Sequence, residues 1–347
     1  MKKRKVIILG FGGTIAMVPD KDGVLKPAKS VEEIIKIVPS LKEMADVSFY
    51  ELENLDSTNI NPIHWTKLAL YISKIHDTVD AVIVTHGTDT MAYTASAIAL
   101  ALGRGLKIPI VFTGSQLPLV AYGTDAQFNL ENSMKTVLEA CNQGVAEVMI
   151  VFNDRVLRAC RALKTSEASF LAFDSPAFPY LARIDAVGIH FITEALKVNK
   201  KSNFEVKPNF QRGILAVELS PGLEPDILLE TIKSKKCQGV LLKSFGAGNV
   251  PTEGEYSLLP MIREAVNVLK LPVLISTKFV NGKTHMGIYE TGKMALDAGA
   301  IPTGDLTDVM TEVKLMWILG QGVTEQNAVK KMLLTSYVGE VSEFKKS

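Results

Sequence analysis

Continuous apolar runs alternate with longer segments of mixed polarity along most of the chain. In the first half, five short runs rich in β-branched residues predict strands at residues 5–10, 47–52, 81–86, 109–114 and 147–152. The runs are apolar at consecutive positions rather than at alternate ones, which is typical of strands that helices cover on both faces. The alternation therefore predicts an α/β fold built around a parallel sheet.

Local signals mark where some of the intervening helices begin. Ser30 and Glu33 have the spacing of a capping box ahead of an apolar segment. Asn61 followed by Pro62 predicts a second helix start, because asparagine is a good N-cap and proline fits the first helical turn.

The pattern stops over residues 197–212, where the sequence becomes basic and polar, and it resumes afterwards. A segment of this composition between two alternating regions predicts an interdomain linker. We therefore expect a larger N-terminal α/β domain over residues 1–196 and a smaller C-terminal α/β domain over residues 213–347.

Composition excludes several classes of protein. The chain has 347 residues, 47% hydrophobic and 22% charged, a globular balance with room for two domains. Its net charge of +1 gives no bulk attraction to nucleic acid or to an anionic membrane. No apolar stretch approaches the roughly 20 residues of a membrane span. We expect neither a nucleic-acid nor a membrane partner.

Cysteine and histidine usage gives no indication of a disulfide framework or a metal site. Cys141, Cys160 and Cys237 are odd in number and widely spaced, and the histidines show no ligand spacing. This usage fits a reducing compartment, so we expect a cytoplasmic protein without a metal or another cofactor.

The first predicted strand runs into the glycine-rich sequence ILGFGGTIAM, which raises the question of a dinucleotide-binding loop. That motif needs a third glycine where Ile15 stands, and Pro19 interrupts the helix that should follow. A nicotinamide-dependent dehydrogenase is therefore disfavoured. The turn either presents Thr14 for chemistry or uses its hydroxyl for turn hydrogen bonds, and this segment alone favours the second role.

A second strand end carries the sequence HGTDT at residues 86–90, directly before a strongly helical segment. Backbone N–H groups and hydroxyls at such a helix start can hold a carboxylate or a developing oxyanion. In the structural alternative, Asp89 or Thr90 is only the N-cap of the helix. We expect His86 to be a packing or hydrogen-bonding residue rather than a base.

Two further segments place polar groups where a small ligand could bind. Ser57 and Thr58 follow the second strand, and they either bind the carboxylate of a zwitterion or bond to their own backbone. The segment 155–169 repeats a basic residue at every third position up to Lys164. Such a run is usually a solvated face, and its lysine is a general base only when buried beside a carboxylate or hydroxyl.

Four motifs taken together resemble the L-asparaginases: GGTIAM at 12–17, HGTDTMAYTASA at 86–97, TGSQLPL at 113–119 and SFGAGNVP at 244–251. Their order and spacing are most similar to those of the cytoplasmic type I branch, and the match runs over nearly the whole chain. The resemblance implies hydrolysis of L-asparagine to aspartate and ammonia, with minor glutaminase activity compatible with it. It also implies a homodimer or homotetramer.

The resemblance assigns catalytic roles by position in the motifs. Thr14 corresponds to the threonine nucleophile, which forms an acyl-enzyme that water hydrolyses. Thr88 corresponds to a second threonine, paired with Lys164 and Asp89 as a supporting triad. The weak threonine nucleophile needs such a proton acceptor or relay.

The same resemblance assigns the substrate contacts. Asp89 corresponds to the residue that binds the substrate's ammonium group, and Ser57 with neighbouring Thr58 to those that hold its α-carboxylate. Asn249, in the GAGN turn, corresponds to a residue that reaches the site from a partner subunit.

Two positions depart from the family pattern. The family usually carries a tyrosine in the lid, near the positions of Val24 and Leu25, and no tyrosine occurs here between Thr14 and Tyr50. Some type I enzymes have an allosteric site with a cysteine where Phe279 stands, so we do not carry that regulation over.

Two rivals to an asparaginase stay open on the sequence. The ammonia-generating amidase subunit of a tRNA-dependent amidotransferase resembles this fold, but it normally has an extra N-terminal domain, whereas the first strand here begins at residue 5. A degenerate protein that binds asparagine as a sensor is the other rival, because the lid tyrosine is missing.

Overall fold

A computed structural model describes residues 3–13, 15, 17–19, 22, 25–27, 36–199 and 202–342. The chain divides into two units, Met1–Pro208 and Asn209–Ser347. The predicted capping box at Ser30 and Glu33 lies outside the described residues. Of the helices in the described part of the chain, none is long and apolar enough to cross a membrane.

The first unit is built on a large mixed sheet. The strands of the first unit are β1 (Lys5–Phe11), β2 (Met17–Pro19), β3 (Leu25–Pro27), β4 (Asp46–Glu53), β5 (Ala81–Thr85), β6 (Ile110–Thr113), β7 (Val148–Phe152), β8 (Arg155–Arg158), β9 (Leu163–Lys164), β10 (Phe173–Asp174), β11 (Ala182–Ile184) and β12 (Ile189–Phe191). Its helices are α1 (Ser40–Met44), α2 (Pro62–Ile75), α3 (Met91–Leu102) and α4 (Ala126–Asn142), with 3₁₀ turns at Ser57–Asn59, Gly103–Gly105 and Ala159–Arg161.

Within the described residues, eight of these strands form one sheet in the order β12-β11-β8-β7-β6-β5-β1-β4. The strands from β7 to β4 are parallel, and β8, β11 and β12 add antiparallel partners at the other side. All five strands predicted from the apolar runs are present, and no strand end is shifted by more than one residue. The prediction of an α/β fold on a parallel sheet is confirmed.

Helices cover both faces of this sheet, as the consecutive apolar positions predicted. Val6 and Ile8 of β1 join a buried cluster with Leu130 of α4, whereas Ile7 and Leu9 are buried on the opposite face. Alternate side chains of one strand point to opposite faces of a sheet, so both sets need apolar partners. The sheet is therefore the centre of the unit, and its strand ends are fixed in place by two packed layers.

The helix start predicted at Asn61 is confirmed in detail. The Asn61 side chain accepts a hydrogen bond from the Ile63 N–H at 3.0 Å, and the His64 Nδ1 accepts one from the Asn61 N–H at 3.1 Å. Pro62 occupies the first position of α2. The helix buries Trp65 and other apolar residues on one face.

The basic run at residues 155–169 is not a solvated face, so that expectation is wrong for two of its members. Arg158 and Arg161 are buried, and both guanidinium groups lie about 5 Å from the Phe178 ring. Arg158 also pairs with the buried carboxylate of Glu147. Nearby aromatic and carboxylate groups compensate the loss of water around these charges.

The second unit is a smaller α/β layer structure. Its strands β13 (Ile214–Glu218), β14 (Gly239–Ser244), β15 (Val273–Thr277) and β16 (Ile301–Pro302) form a parallel sheet in chain order. Its helices are α5 (Pro225–Ile232), α6 (Leu259–Arg263, continued by a π-helical turn at Glu264–Val268), α7 (Glu290–Asp297), α8 (Asp308–Gly320) and α9 (Gln326–Leu334). A large N-terminal sheet with a smaller C-terminal one is the predicted fold class.

The apolar pattern predicts two helices after the strand at 273–277, whereas the described residues there form three, α7, α8 and α9. Helix α7 has eight residues, and the two that are buried, Gly292 and Ala295, are small.

Candidate active site

Four neighbouring strands of the first unit end at one edge of the sheet. Strands β6, β5, β1 and β4 are adjacent and parallel, so their carboxyl ends point the same way. In open α/β sheets, ligands bind at this edge. The chain places polar or glycine-rich segments there: 12–13 after β1, 55–59 after β4, 86–90 after β5 and 114–116 after β6.

Three glycines bring these segments closer together than other residues would allow. Gly12 and Gly13 have φ of +93° and +91°, and a Cβ on them would overlap the carbonyl oxygen of Leu55 and the Gly87 amide respectively. A Cβ on Gly87 would lie 2.7 Å from both Cβ and Oγ of Ser57. The glycines therefore allow three loops to touch through their backbones.

Thr14 and Val24 lie outside the described residues. Leu25 belongs to strand β3. Gly13, which immediately precedes Thr14 in the chain, contacts the backbone of the HGTDT turn through Gly87.

The structure brings together three of the residues that the sequence singles out. Lys164 Nζ donates to Thr88 Oγ1 at 2.9 Å and to Asp89 Oδ1 at 2.6 Å. The Lys164 side chain is 16% exposed and that of Asp89 is 56% exposed. An ammonium group, a hydroxyl and a carboxylate thus meet where water or a small ligand still has access.

A short hairpin holds Lys164 in this position. Strands β9 and β10 pair Lys164 with Phe173, whose buried ring packs 5.0 Å from that of Phe152. The Thr165 N–H donates to the Ala172 carbonyl at 2.8 Å and closes the connecting loop. Packing at the base of the hairpin therefore fixes the lysine, although the loop itself is largely exposed.

The glutamine of the TGSQLPL motif, to which the family resemblance assigned no role, anchors that loop. Gln116 Nε2 donates to the carbonyl oxygens of Glu167 and Ser169, both at 3.0 Å. The Gln116 N–H itself donates to both carboxylate oxygens of the buried Asp125, at 3.1 and 3.0 Å. Asn129 completes this support by donating to Asp125 and to the Gly114 carbonyl.

One signal in the sequence pointed to Gln116: it lies in TGSQ, directly after β6, at the carboxyl edge of a parallel strand. Its bonds could not be foreseen, because they go to backbone carbonyls about 50 residues further along the chain. Only the folded hairpin places those carbonyls in reach.

His86, the first residue of the HGTDT segment, is fully buried, and its contacts confirm the expectation of a hydrogen-bonding residue. Its Nδ1–H donates to the Gly87 carbonyl at 2.7 Å, and its Nε2 accepts from the Thr94 hydroxyl at 2.9 Å. Trp65 Nε1 in turn donates to Thr94 Oγ1 at 3.2 Å. Burial lowers the pKa of His86 from 6.5 to about 4, so the imidazole is neutral at physiological pH.

Ser57 and Thr58 differ in their surroundings. Ser57 is buried, and no hydrogen bond joins its Oγ to another of the described residues. Thr58 is exposed, and both its N–H and its hydroxyl donate to Asp56 Oδ1, at 2.9 and 2.8 Å. These bonds lower the pKa of Asp56 below its usual value. Thr58 thus bonds within its own loop, whereas Ser57 keeps its hydroxyl available.

Asn249 lies in the second unit, on a tight turn after β14. Its N–H donates to the Phe245 carbonyl at 2.8 Å, and its Oδ1 accepts from the Thr291 hydroxyl at 3.2 Å. Gly246 and Gly248 have positive φ, which allows the turn. The side chain is therefore held in a defined orientation by its own unit.

Metal and disulfide chemistry find no support in the described part of the chain. No group of three or more His, Cys, Asp or Glu side chains there is arranged to hold a metal ion. Cys141, Cys160 and Cys237 are all free, and burial raises the pKa of Cys141 to about 11.

Two family profiles match the chain: "Asparaginase, N-terminal" over residues 5–197 and "Glutaminase/Asparaginase C-terminal domain" over residues 214–333. The chain is 31% identical over 339 residues to an L-asparaginase of Thermococcus kodakarensis, covering 97% of this chain and 99% of that protein. It is 30% identical over 347 residues to L-asparaginase 1 of Escherichia coli, covering 99% of both.

A relative of a second kind and a solved structure complete the comparison. The chain is 32% identical over 350 residues to a glutamyl-tRNA(Gln) amidotransferase subunit of Pyrococcus abyssi, covering 98% of this chain and 77% of that protein. The solved structure of the thermostable L-asparaginase from Thermococcus kodakarensis superposes with a TM-score of 0.89 at 30% identity, covering 98% and 99% of the two chains.

Proposed function

The chain belongs to the asparaginase family, and on that premise we propose that it hydrolyses L-asparagine to L-aspartate and ammonia through a threonine nucleophile. As a member of this family it is an amidohydrolase. The observation that carries the proposed site is the Lys164 ammonium group, which bonds to both Thr88 and Asp89 at the carboxyl edge of the sheet.

Acylation begins at Thr14. Its Oγ attacks the carbonyl carbon of the substrate's side-chain amide, so that a C–O bond forms and the C–N bond breaks. A threonine hydroxyl needs a partner that takes its proton. We assign this role to Lys164, with the Thr88 hydroxyl as relay, since Lys164 Nζ and Thr88 Oγ1 are 2.9 Å apart. The same proton then leaves with the amide nitrogen as ammonia.

Deacylation reverses the proton path. A water molecule adds to the ester carbon of the acyl-enzyme, and the bond to the Thr14 oxygen breaks. One proton of the water returns to the threonine, while the remaining hydroxyl becomes part of the L-aspartate side-chain carboxyl group. The lysine and Thr88 can serve both steps because they start and end in the same state.

Substrate binding uses the two ends of the amino acid. Asp89 is half-exposed and binds the ammonium group with the carboxylate oxygen that Lys164 leaves free. Ser57 donates its hydroxyl to the α-carboxylate, with Thr58 supporting the loop through Asp56. The rigid separation between these two groups would select free α-amino acids.

The wider organisation follows from the same premise. We propose that residues 1–196 form the catalytic domain, that residues 213–347 form the C-terminal domain, and that 197–212 connect them. Asn249 would complete the site of a partner subunit in a homodimer or homotetramer. We place the protein in the cytoplasm, with the type I enzymes.

The direct test is a coupled ammonia assay on L-asparagine and L-glutamine with no added cofactor or metal, together with measurement of the aspartate formed. We expect ammonia and aspartate in equal amounts from asparagine, and a slower reaction with glutamine. Binding of asparagine by calorimetry without any turnover would contradict the proposal and identify a sensor instead.

The similarity to an amidotransferase subunit supports a second candidate, an amidase that supplies ammonia to a partner enzyme. This candidate predicts little turnover of free asparagine by the isolated chain. Efficient hydrolysis without a partner protein would exclude it.

The missing lid tyrosine has its own test. Tyrosine introduced as Val24→Tyr or Leu25→Tyr should raise kcat strongly if the native lid is deficient in a proton carrier. An unchanged kcat would indicate that another group activates Thr14.

A further inference from the structure

Thr90 occupies the N-cap position of helix α3, yet its side chain does not cap the helix. Its hydroxyl instead donates to the main-chain carbonyl of Ser57 at 2.7 Å. A threonine at this position ordinarily accepts a hydrogen bond from an N–H of the first helical turn. The structure therefore directs this hydroxyl away from its local partner and toward a loop 33 residues earlier in the chain.

True caps elsewhere in the molecule show the contrast. Thr307, at the N-cap of α8, accepts from the Met310 N–H at 3.0 Å. The two threonines have the same position relative to their helices and different partners. The bond of Thr90 is thus a feature of the site and not of helix starts in general.

The Thr90 bond acts together with the glycine contact described above. Ser57 lies against Gly87 so closely that a Cβ there would be 2.7 Å from its Oγ. The Ser57 side chain therefore rests on the HGTDT turn at Gly87, and its carbonyl is tied to the same turn at Thr90. These two contacts, one to its side chain and one to its carbonyl, leave Ser57 little freedom to rotate or shift.

We propose that Thr90 is a positioning residue that fixes the Ser57 hydroxyl relative to Asp89 and thereby sets the affinity for the substrate's α-carboxylate. This inference rests on the proposed function, in which Ser57 holds the carboxylate and Asp89 the ammonium group. Hydroxyls at alternate positions of the HGTDT turn then have separate tasks: Thr88 bonds to the lysine and Thr90 bonds to the binding loop.

This division predicts a specific kinetic signature. Loss of the Thr90 hydroxyl releases the Ser57 loop but leaves the Lys164 contacts with Thr88 and Asp89 in place. Substrate binding should weaken while the chemical step is largely kept, since a misplaced binding group costs affinity in the ground state and the transition state alike.

The experiment compares Thr90→Val, which keeps the shape without the hydroxyl, with Thr90→Ser, which keeps the hydroxyl. We expect Thr90→Val to raise KM for L-asparagine about 10-fold and to change kcat less than about 3-fold. Thr90→Ser should remain within about 2-fold of the wild type in KM. Thr90→Ala replaces the valine variant if the latter does not fold.

Calorimetry with L-aspartate, the expected product, measures the same effect without turnover. Its Kd should rise in Thr90→Val by about the same factor as KM. Thr307→Val is the matched control: it removes a genuine helix cap in the other unit, so it should lower the melting temperature and leave KM and Kd unchanged.

Each outcome decides the question. An unchanged KM and Kd in Thr90→Val, a fall in kcat alone, or a serine variant as impaired as the valine variant would overturn the inference. If the wild type releases no ammonia but binds aspartate, the proposed function fails while the Kd values still test Thr90. If the wild type neither turns over asparagine nor binds aspartate, both proposals fail.

Discussion

Two lysines, one in each unit, make the same kind of ion pair in different surroundings. Lys164 Nζ lies 2.6 Å from Asp89, and Lys314 Nζ lies 2.7 Å from Glu340. The pair of Lys314 is fully buried, whereas the carboxylate of Asp89 is 56% exposed. Distance alone therefore does not distinguish a structural pair from a catalytic candidate.

The partners of the two ammonium groups make the distinction. Lys314 donates to the carbonyls of Leu333 and Thr335, both at 2.7 Å, as well as to Glu340, so its three N–H donors are all engaged with fixed groups. Glu340 accepts in turn from the backbone at 337 and 338. Lys314 therefore holds the end of α9 and the following turn in place, and its surroundings leave no space for a ligand.

Lys164 has partners that can change state. One is a hydroxyl that can pass a proton, and the other is a carboxylate that water reaches. Loops with close glycine contacts lie beside it, whereas Lys314 lies within α8 and contacts the end of α9. Lys314, which is buried and has all its N–H donors hydrogen-bonded, stabilises the fold. Lys164, which is only partly enclosed at the edge of the sheet, can take part in chemistry.

The sharpest test of this contrast is Lys164→Met, which keeps the length of the side chain and removes its charge. We expect kcat/KM for L-asparagine to fall about 10³-fold or more, because the proton acceptor is lost. The melting temperature should change little, since the side chain is partly exposed and Thr88 can bond to water. Retained activity would exclude Lys164 from the proton path.

Lys314→Met should have the opposite result. Removing one partner of a buried ion pair leaves Glu340 uncompensated, which costs about 3–5 kcal/mol of unfolding free energy. The folded fraction should keep the wild-type KM and kcat, measured at a temperature well below its unfolding midpoint. If activity falls while the urea midpoint stays constant, the distinction between the two lysines is wrong.

His86 extends the comparison to a sealed group beside the candidate site. Its pKa in the folded protein is about 4, below the value of 6.5 expected in the unfolded chain. Between these two values the unfolded state binds more protons, so stability is complete above pH 6.5 and falls as the pH drops to 4. The loss amounts to about 3 kcal/mol.

The measurement is urea unfolding from pH 7 to 4 for the wild type and His86→Gln. The variant should be less stable at pH 7, because buried hydrogen bonds are lost, and its stability should fall less steeply with acid. The other histidines are the same in both proteins and cancel. Equal slopes would mean that His86 is not held neutral by burial.

The smallest of these effects concerns Gln116, which touches the loop beside Lys164 and not the lysine itself. Gln116→Met removes its bonds to Glu167 and Ser169, and we expect kcat to fall about 10-fold with little change in KM. Gln127→Met is the matched control. Gln127 is exposed, and within the described residues its side chain hydrogen-bonds only to Glu131. Equal effects of the two changes would remove Gln116 from the support of Lys164.

The fold was accessible from the sequence where burial is uniform. Strands such as β5, with five consecutive buried residues, can be predicted from their apolar composition. Strands β11 and β12 have three residues each with exposed members, and they carry no such pattern. The burial of Arg158 was missed because its partner Glu147 and the Phe178 ring come from other segments of the chain.

The site was accessible only in part. Motif resemblance singled out Thr88, Asp89 and Lys164, but the contact of Lys164 with the turn spans about 75 residues and depends on how the hairpin packs. The bond from Thr90 to Ser57 was hidden for a different reason. A threonine at a helix start has an ordinary local explanation, and only the folded structure shows that its hydroxyl does not act as a cap.

The proposed reaction depends on Thr14, which follows Gly13 in the chain. The most direct measurement is ammonia release from L-asparagine by the wild type and Thr14→Ala at equal folded concentration, with intact-mass detection of an acylated chain after rapid quenching. We predict a drop in kcat of about 10³-fold or more and an acyl adduct on the wild type alone. Near-normal turnover by Thr14→Ala, or an adduct on both proteins, would exclude Thr14 as the nucleophile.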